Sequence, residues 1–479
     1  MGHTHDVHRD VPAASSPLDG VATATVLRAA AQAGASWAEL FVEIRNAETV
    51  RLDGGRVAEL RHDRDIGAAV RVVAGGSVGL AYTNLLTTPA LVQAAQTAAS
   101  VARSAPGSSA PASVDLTQTQ APEVQRARVP PGQVPTAEKV ALLRRADEAA
   151  RAYHRSVREV SAIHVDVEQH VLVATSDGRC LRDQRIRTRL TCRVTASRDG
   201  RTETGFDGPG LGGGLELYDA DPPERIAVRA ATRAVHALDG QEPIAGKTTV
   251  VLGAGGGGLL LHEACGHGLE ADGLERNSSV YAGTVGQPVA SPLVYAVDDP
   301  SMPGRFGSYG MDDEGRLSSP TVLLDAGVQV GALTDSATAD SRGGTATANG
   351  RRASYADPPL PRMSNTYIEP GTADPDAVLA DVRSGIYVSR LRGGDVDIVT
   401  GEFAFSAAEA FQIEAGRLTQ PLSGVTLLGN GPAALSAVDA VASDLAFTQA
   451  LCGKHGQWVP VSYGAPTLRI ARLTVAGNG

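Results

Sequence analysis

Hydrophobic and polar positions follow two alternating grammars in the first half of the chain, and the texture changes near residue 247. WAELFVEIR (37–45) sets Leu40, Val42 and Ile44 against Glu39 and Glu43, the period of two that a half-buried strand requires. Asp53-Gly54 and Gly75-Gly76 interrupt alternating runs and predict hairpin turns. Ser16-Pro17, a cap followed by proline at the first helical position, opens an Ala-rich helix that ends near Gly34, and Thr88-Pro89 opens another to about Arg103. Pro, Ser, Ala and Gln then dominate 106–135, which reads as a linker or extended connection. The grammar resumes with a helix over Thr136–Tyr153, strands turning at Ser176-Asp177-Gly178 and Arg198-Asp199-Gly200, and a helix over 223–238, a diverged repeat of the first unit. Beyond 247 come Gly-rich loops and short strands, with hairpins around Ala326-Gly327 and Ala415-Gly416 and a helical pattern over 431–451 ending before Cys452-Gly453. The expectation is an α+β protein. Two N-terminal helix–hairpin two-layer units (16–105 and 136–240) precede a C-terminal, mainly antiparallel β domain (246–479) carrying two functional helices.

Composition narrows this picture. Aromatics make up 4% of 479 residues, so the core must be packed with small aliphatic side chains. A net charge of −10 argues against a nucleic-acid partner, which requires a basic surface. No basic-then-apolar leader opens the chain, and the longest uncharged stretch, 418–438, is broken by Pro421, Gly424, Asn430, Gly431 and Pro432. No membrane span is expected, and a cytoplasmic location is the default. Four cysteines do not make a disulfide framework, and His3, His5 and His8 in the tail are weak evidence for metal.

The chemistry concentrates in TTVVLGAGGGGLLLHEACGHGLEADG (248–273), where an apolar run and a glycine loop lead into His262, Glu263 and His267. Histidines four apart sit about 40° apart around a helix, whereas the five-residue gap here puts them about 140° apart, too far for one ion. A π-bulge absorbing one residue restores the geometry, and Gly266 offers the backbone freedom. A rival reading takes Gly253, Gly255 and Gly258 as a dinucleotide fingerprint. Its ribose-binding acid should end a second strand about 20 residues on, yet Glu270, Asp272 and Glu275 lie in a polar stretch with no strand pattern. No Lys-Ser/Thr follows, so a P-loop is excluded as well. Two histidines need a third ligand and an open position for water. Glu270, Cys265, Cys452 and His455 remain open on residue type and position alone, Cys265 expected to point away and Cys452 to follow the last helix beside Lys454 and His455.

GAGGGGLLLHEACGHGLEADG, FGSYGMDDEG (306–315), TATANGRRASYADPPLPRMSNTYIEPG (345–371) and LCGKHGQWVPVSYGAPTLRI (451–470) together resemble the signatures of the TldD/PmbA family, in the expected order. The resemblance implies one zinc ion per chain on His262, His267 and Cys452, with Glu263 as general base, as in the metal-bearing TldD-type subunit. It also implies a heterodimer with a PmbA/TldE-like partner and an enclosed site that hydrolyses small or unfolded peptides. Some relatives instead remove N-acyl groups from small amino acids in bacterial natural-product pathways, and a non-catalytic scaffold with structural zinc is a third reading. Tyr309, Arg352, Tyr355, Arg362 and His455 are candidates for oxyanion or carboxylate contacts, and Asp312, Asp313 and Glu314 for a substrate amine or extended peptide.

Overall fold

The computed structural model describes residues 18–102 and 116–477; the helix start at Ser16-Pro17, Arg103, the tail histidines and 106–115 of the linker lie outside the described residues. The first unit runs α1 (Thr23–Gln32), β1 (Trp37–Asp53), β2 (Arg56–Ala74), β3 (Ser77–Thr83) and α2 (Thr88–Ala102). After β4 (Thr117–Gln120), the second runs α3 (Thr136–Tyr153), β5 (Val157–Thr175), β6 (Arg179–Arg198), β7 (Arg201–Asp207), β8 (Gly210–Leu211), α4 (Leu217–Ala220) and α5 (Pro223–Asp239). Both units repeat helix, three antiparallel strands, helix. They also share a device: a Cβ on Gly79 of β3 would strike the Ala98 carbonyl of α2, and one on Gly205 of β7 the Ala230 carbonyl of α5. Each helix thus lies directly on strand backbone, in keeping with a core built of small residues.

The two units form one sheet, in the order β3-β2-β1-β5-β6-β4 with β7 and β8 also on β6. They join through β1 and β5, antiparallel from Glu39↔Thr175 to Asp53↔Ser161. Period two then sorts the faces. Leu40, Val42 and Ile44 pack under α1 and α2, and Leu190, Cys192 and Val194 under α3 and α5. The opposite face carries Glu39, Phe41, Glu43 and Arg45 on β1 and Arg185, Arg187 and Arg189 on β6, and the C-terminal domain sits on that face.

The C-terminal strands are β9 (Gly246–Leu252), β10 (Ala296–Asp298), β11 (Thr321–Asp325), β12 (Val328–Gln329), β13 (Gly350–Arg351), β14 (Leu360–Pro361), β15 (Asn365–Ile368), β16 (Ser384–Val396), β17 (Glu402–Glu414), β18 (Arg417–Leu422), β19 (Thr426–Asn430), β20 (Val438–Val441), β21 (Ala446–Lys454), β22 (Gln457–Ala465) and β23 (Leu468–Ala476). The path β16-β9-β23-β19-β17 closes back on β16, making a barrel. A second sheet runs β12-β11-β10-β15-β22-β21. Pairing is antiparallel except for β9 with β16 and β15 with β22. The hairpins at Ala326-Gly327 and Ala415-Gly416 stand as expected, with positive φ at all four residues.

One expectation is corrected. The helical pattern over 431–451 yields only the short helix Gly431–Ser436, capped by Asn430. The chain then becomes β20 and β21, and β21 pairs with β22 from Ala446↔Ala465 to Lys454↔Gln457. Ala, Val and Leu fit either period, and here the partner strand overrides local helix preference.

Candidate metal centre

β9 leaves the barrel and turns through Gly253–Gly256 into α6 (Gly257–Leu261), which continues as a π-helical turn over His262–Gly266 and a 3₁₀ turn over His267–Leu269. The widened turn takes up the extra residue between the histidines, and both imidazoles face one side, with ring centroids 5.0 Å apart. Gly266 contributes space rather than backbone freedom. It keeps helical φ −56° and ψ −52°, while a Cβ there would collide with Met363 Sδ. The upstream glycines serve packing in the same way, since a Cβ on Gly258 would lie 2.8 Å from the Gly464 nitrogen of β22.

Cys452 reaches the same point from β21, not from a helix end. Its Sγ lies 3.3 Å from His262 Nε2 and 3.2 Å from His267 Nε2. One ligand atom from each of the three residues falls within 4.8 Å of the others. Burial would raise the Cys452 thiol, but the two imidazoles overcome it and bring its pKa down to about 4, so the sulfur is a thiolate. Two imidazole nitrogens and a thiolate suit zinc. Cys265 is absent from this group. It faces Tyr281 in the core, and burial pushes its thiol up to about 12.

Glu270, one of the alternative third ligands, stands behind His267 instead. Its Oε2 is 3.1 Å from His267 Nδ1 and 3.0 Å from Lys454 Nζ. Burial raises its pKa, yet His267, Lys454 and Arg362 together hold the carboxyl down to about 2. Lys454 also donates to Asp272 at 2.7 Å. Arg362, fully buried, donates to the Cys452 carbonyl at 2.6 Å and the Gln457 carbonyl at 3.3 Å, fixing the hairpin that carries the thiolate. That hairpin turns through His455 and Gly456, both with positive φ, as a two-residue loop between twisted strands requires. His262 Nδ1 is buried and has no hydrogen-bond partner among the described residues.

Glu263 is the most open member, with its side chain 26% exposed and Oε2 3.9 Å from His267 Nε2. It lines a cleft of about 460 Å³ together with His267, Gly394, Asp395, Lys454 and His455. His455 therefore borders the metal group, and Arg362 supports it from behind.

The other sequence candidates lie elsewhere. Tyr309 is buried, donates to the Ala348 carbonyl at 2.9 Å, and sits beneath Arg185 and Arg351. Asp312 accepts from the Glu314, Arg316 and Gly350 amides, and burial next to Glu314 pushes it up to about 8. Asp313 pairs with Arg185 at 2.7 Å, and Glu314 with Arg71 of β2 at 2.5 Å. Arg352 pairs with Glu39 of β1 at 2.5 Å, and the Tyr355 amide donates to Glu43 at 2.9 Å. Apart from Asp312, whose bonds stay within the C-terminal domain, these residues join that domain to the N-terminal sheet rather than lining the metal cleft. Their turn-like, charged motifs are equally suited to docking, and only the register of β1, β2 and β6 reveals their partners. Lys454 and Glu270 as supports for His267 had no sequence signal beyond proximity to the ligands.

Three family models match the chain in order: PmbA/TldA metallopeptidase domain 1 over residues 38–102, the central domain over 129–238 and the C-terminal domain over 245–477. The Metalloprotease TldD homolog of Haemophilus influenzae is 38% identical over 451 residues, 92% of this chain and 93% of that protein. A metalloprotease of Methanothermobacter thermautotrophicus is 34% identical over 445 residues, 92% of this chain and 96% of that protein. The crystal structure of TldE from Thermococcus kodakarensis shares the fold, with a TM-score of 0.73 at 18% identity over 94% of this chain and 99% of that one.

Proposed function

The chain belongs to the PmbA/TldD metallopeptidase family, and from that footing we propose that it hydrolyses peptide bonds in small or unfolded peptides, with zinc held by His262, His267 and Cys452 and with Glu263 as general base. The observation that carries this reading is the convergence of His262 Nε2, His267 Nε2 and the Cys452 thiolate beside a partly exposed Glu263 at the wall of a cleft. Zinc held there supplies Lewis acidity to a water and to the scissile carbonyl. Glu263 takes the water's proton and returns it to the leaving amine, and its exposure at the cleft gives it access to both. Glu270 accepts a hydrogen bond from His267 Nδ1 and so keeps Nε2 turned toward the thiolate. Structural zinc is normally closed by four protein ligands. Here three converge, and the fourth neighbour is a carboxylate facing an open cleft, which favours catalysis.

The cleft is open at one side, and a PmbA/TldE-like partner closing it would restrict entry to flexible chains, because a folded domain would first have to unfold at a cost of about 5–15 kcal/mol. The test uses the purified chain with and without such a partner. Glu263→Gln should keep one zinc per chain while peptide hydrolysis falls by about 10²–10⁴-fold, and Cys452→Ser should lose most of the zinc. Wild-type turnover in Glu263→Gln, or full zinc content in Cys452→Ser, would overturn the assignment.

A further inference from the structure

Away from the metal, the seam between the N-terminal sheet and the β21–β22 hairpin holds a second cavity, of about 350 Å³. Six arginines line it, Arg45, Arg185, Arg187, Arg189, Arg351 and Arg352, against a single carboxylate, Asp313. The register explains the crowding: Arg185, Arg187 and Arg189 alternate on β6 opposite Gln169, Val167 and Val165 of β5, so all three point to one face. Two of the six are neutralised, Arg185 by Asp183 and Asp313, and Arg352 by Glu39. None of the other four makes an ion pair with a carboxylate among the described residues. Arg187, 4% exposed, meets only neutral acceptors, the Phe306 and Ser308 carbonyls at 2.9 and 3.2 Å and Gln169 Oε1 at 3.5 Å. Arg351, also buried, donates only to the Met363 and Pro460 carbonyls. Arg189, half-buried, and Arg45, exposed, make no side-chain hydrogen bond or ion pair among the described residues.

Buried cations without a paired carboxylate are costly, and burial together with the Arg185 and Arg351 charges drives the Arg187 pKa well down against the smaller opposing pull of Asp183 and Asp313. A fold that concentrates them around a cavity leaves a position for an anion. The remaining walls are apolar: Val165, Val167, Phe306 and Pro460, with Leu451 and a Trp458 that is 63% exposed at the rim. We propose that this cavity binds an organic oxyanion, a carboxylate or phosphate on an apolar body, with Arg187, Arg189 and Arg45 receiving the charge and Trp458 covering the body. Planar guanidinium groups match either oxyanion with paired hydrogen bonds, and the apolar walls account for the body. The site is distinct from the metal centre, since Leu451 and Cys452 project from opposite faces of β21.

The experiment is calorimetric titration of the full chain with 4-phenylbutyrate, phenyl phosphate and the neutral 4-phenylbutyramide, with Trp458 fluorescence as a second readout. At least one anion should bind saturably, at least tenfold more tightly than the amide, and the stronger of the two identifies the oxyanion. The double variant Arg45→Gln/Arg189→Gln removes groups that make no side-chain hydrogen bond or ion pair among the described residues, so it should melt like the unaltered chain while binding falls at least tenfold. Stripping metal with phenanthroline, followed by dialysis, should leave the affinity unchanged. Equal binding of the amide, undiminished binding in the double variant, loss of binding with the metal, or no binding of either anion at 10 mM (roughly the weakest useful affinity on the millimolar scale) would each overturn the proposal.

Discussion

Replacing Glu270 by Gln tests whether the residues behind the metal group govern its affinity. The carboxylate is 1% exposed and contacts His267 Nδ1 at 3.1 Å and Lys454 Nζ at 3.0 Å, with Arg362 Nε at 3.9 Å. Glutamine keeps the volume and one acceptor oxygen but deletes the charge. Two effects compete. Without Glu270, His267 holds its proton less tightly, which favours metal entry, because Glu270 is a leading reason that its pKa stands well above the ordinary value despite burial. Yet the carboxylate attracts a divalent ion at Nε2 more strongly than the single proton it displaces, so the loss should dominate. Outer-shell substitutions of this kind typically weaken metal binding about 10–100-fold, or roughly 1.4–2.8 kcal/mol. The fold should survive, since Lys454 retains Asp272 at 2.7 Å and Arg362 retains the Cys452 and Gln457 carbonyls. The assay is zinc competition against a fluorescent chelator, alongside melting curves with and without zinc. A variant with wild-type zinc affinity and a lowered melting point in both states would refute the reasoning and leave Glu270 a purely structural acid.

Two further predictions concern the seam between domains. Arg71→Met should destabilise the chain by about 3–5 kcal/mol, because it strands Glu314 as a buried carboxylate and leaves Glu39 to Arg352 alone; urea denaturation reads the loss, and a shift below 1 kcal/mol (roughly the exposed-pair range) would show the pairing to be dispensable. Asp207, buried among Arg390, Arg233 and Arg229, has its pKa held below the ordinary value against the opposing push of burial. A depressed folded-state pKa stabilises above the unfolded value and loses that contribution as pH falls through the folded one. Melting curves should therefore show Asp207→Asn far below wild type at pH 7, with the gap narrowing as pH drops below about 4; a gap independent of pH would exclude the linkage.

Much of the N-terminal half was legible because its strands alternate cleanly and its turns carry glycine. The hairpin at Gly75-Gly76, the helix Thr136–Tyr153 and the turns of the second unit stand where the pattern puts them, and the turn expected at Asp53-Gly54 falls one residue on, at Gly54-Gly55. The π-helical turn was legible for another reason: a five-residue histidine gap has few geometries that bring both imidazoles to one side, and the turn over His262–Gly266 is one of them. What the pattern could not carry was pairing. Val438–Val441 and the first part of β21, 446–451, read as helix because Ala, Val and Leu satisfy either period until β23 and β22 are known to lie alongside. The acids of the 306–315 motif could not be told from substrate ligands because their partners, Arg71 and Arg185, lie more than a hundred residues upstream. Alternation did display Arg185, Arg187 and Arg189 on one face of a strand, but whether that face met solvent or another domain was not written in it.

The triangle of His262, His267 and Cys452 rests on backbone contacts. Two imidazoles come from a helix hung on a barrel strand and the thiolate from a hairpin of the other sheet, 190 and 185 residues away in sequence. Side-chain packing alone would leave their separation loose, since long side chains have several rotamers. The helix instead presses Gly258 against the Gly464 backbone of β22, and β22 holds β21 in a fixed ladder with Cys452 opposite Val459. One strand thus sets both sides of the triangle. A side chain at 258 would lever the helix away from β22 and carry the imidazoles off the sulfur, whatever residues stood at 262, 267 and 452. The glycine run that resembles a dinucleotide fingerprint in sequence is, in the folded chain, the means by which two sheets are brought close enough for His262, His267 and Cys452 to meet.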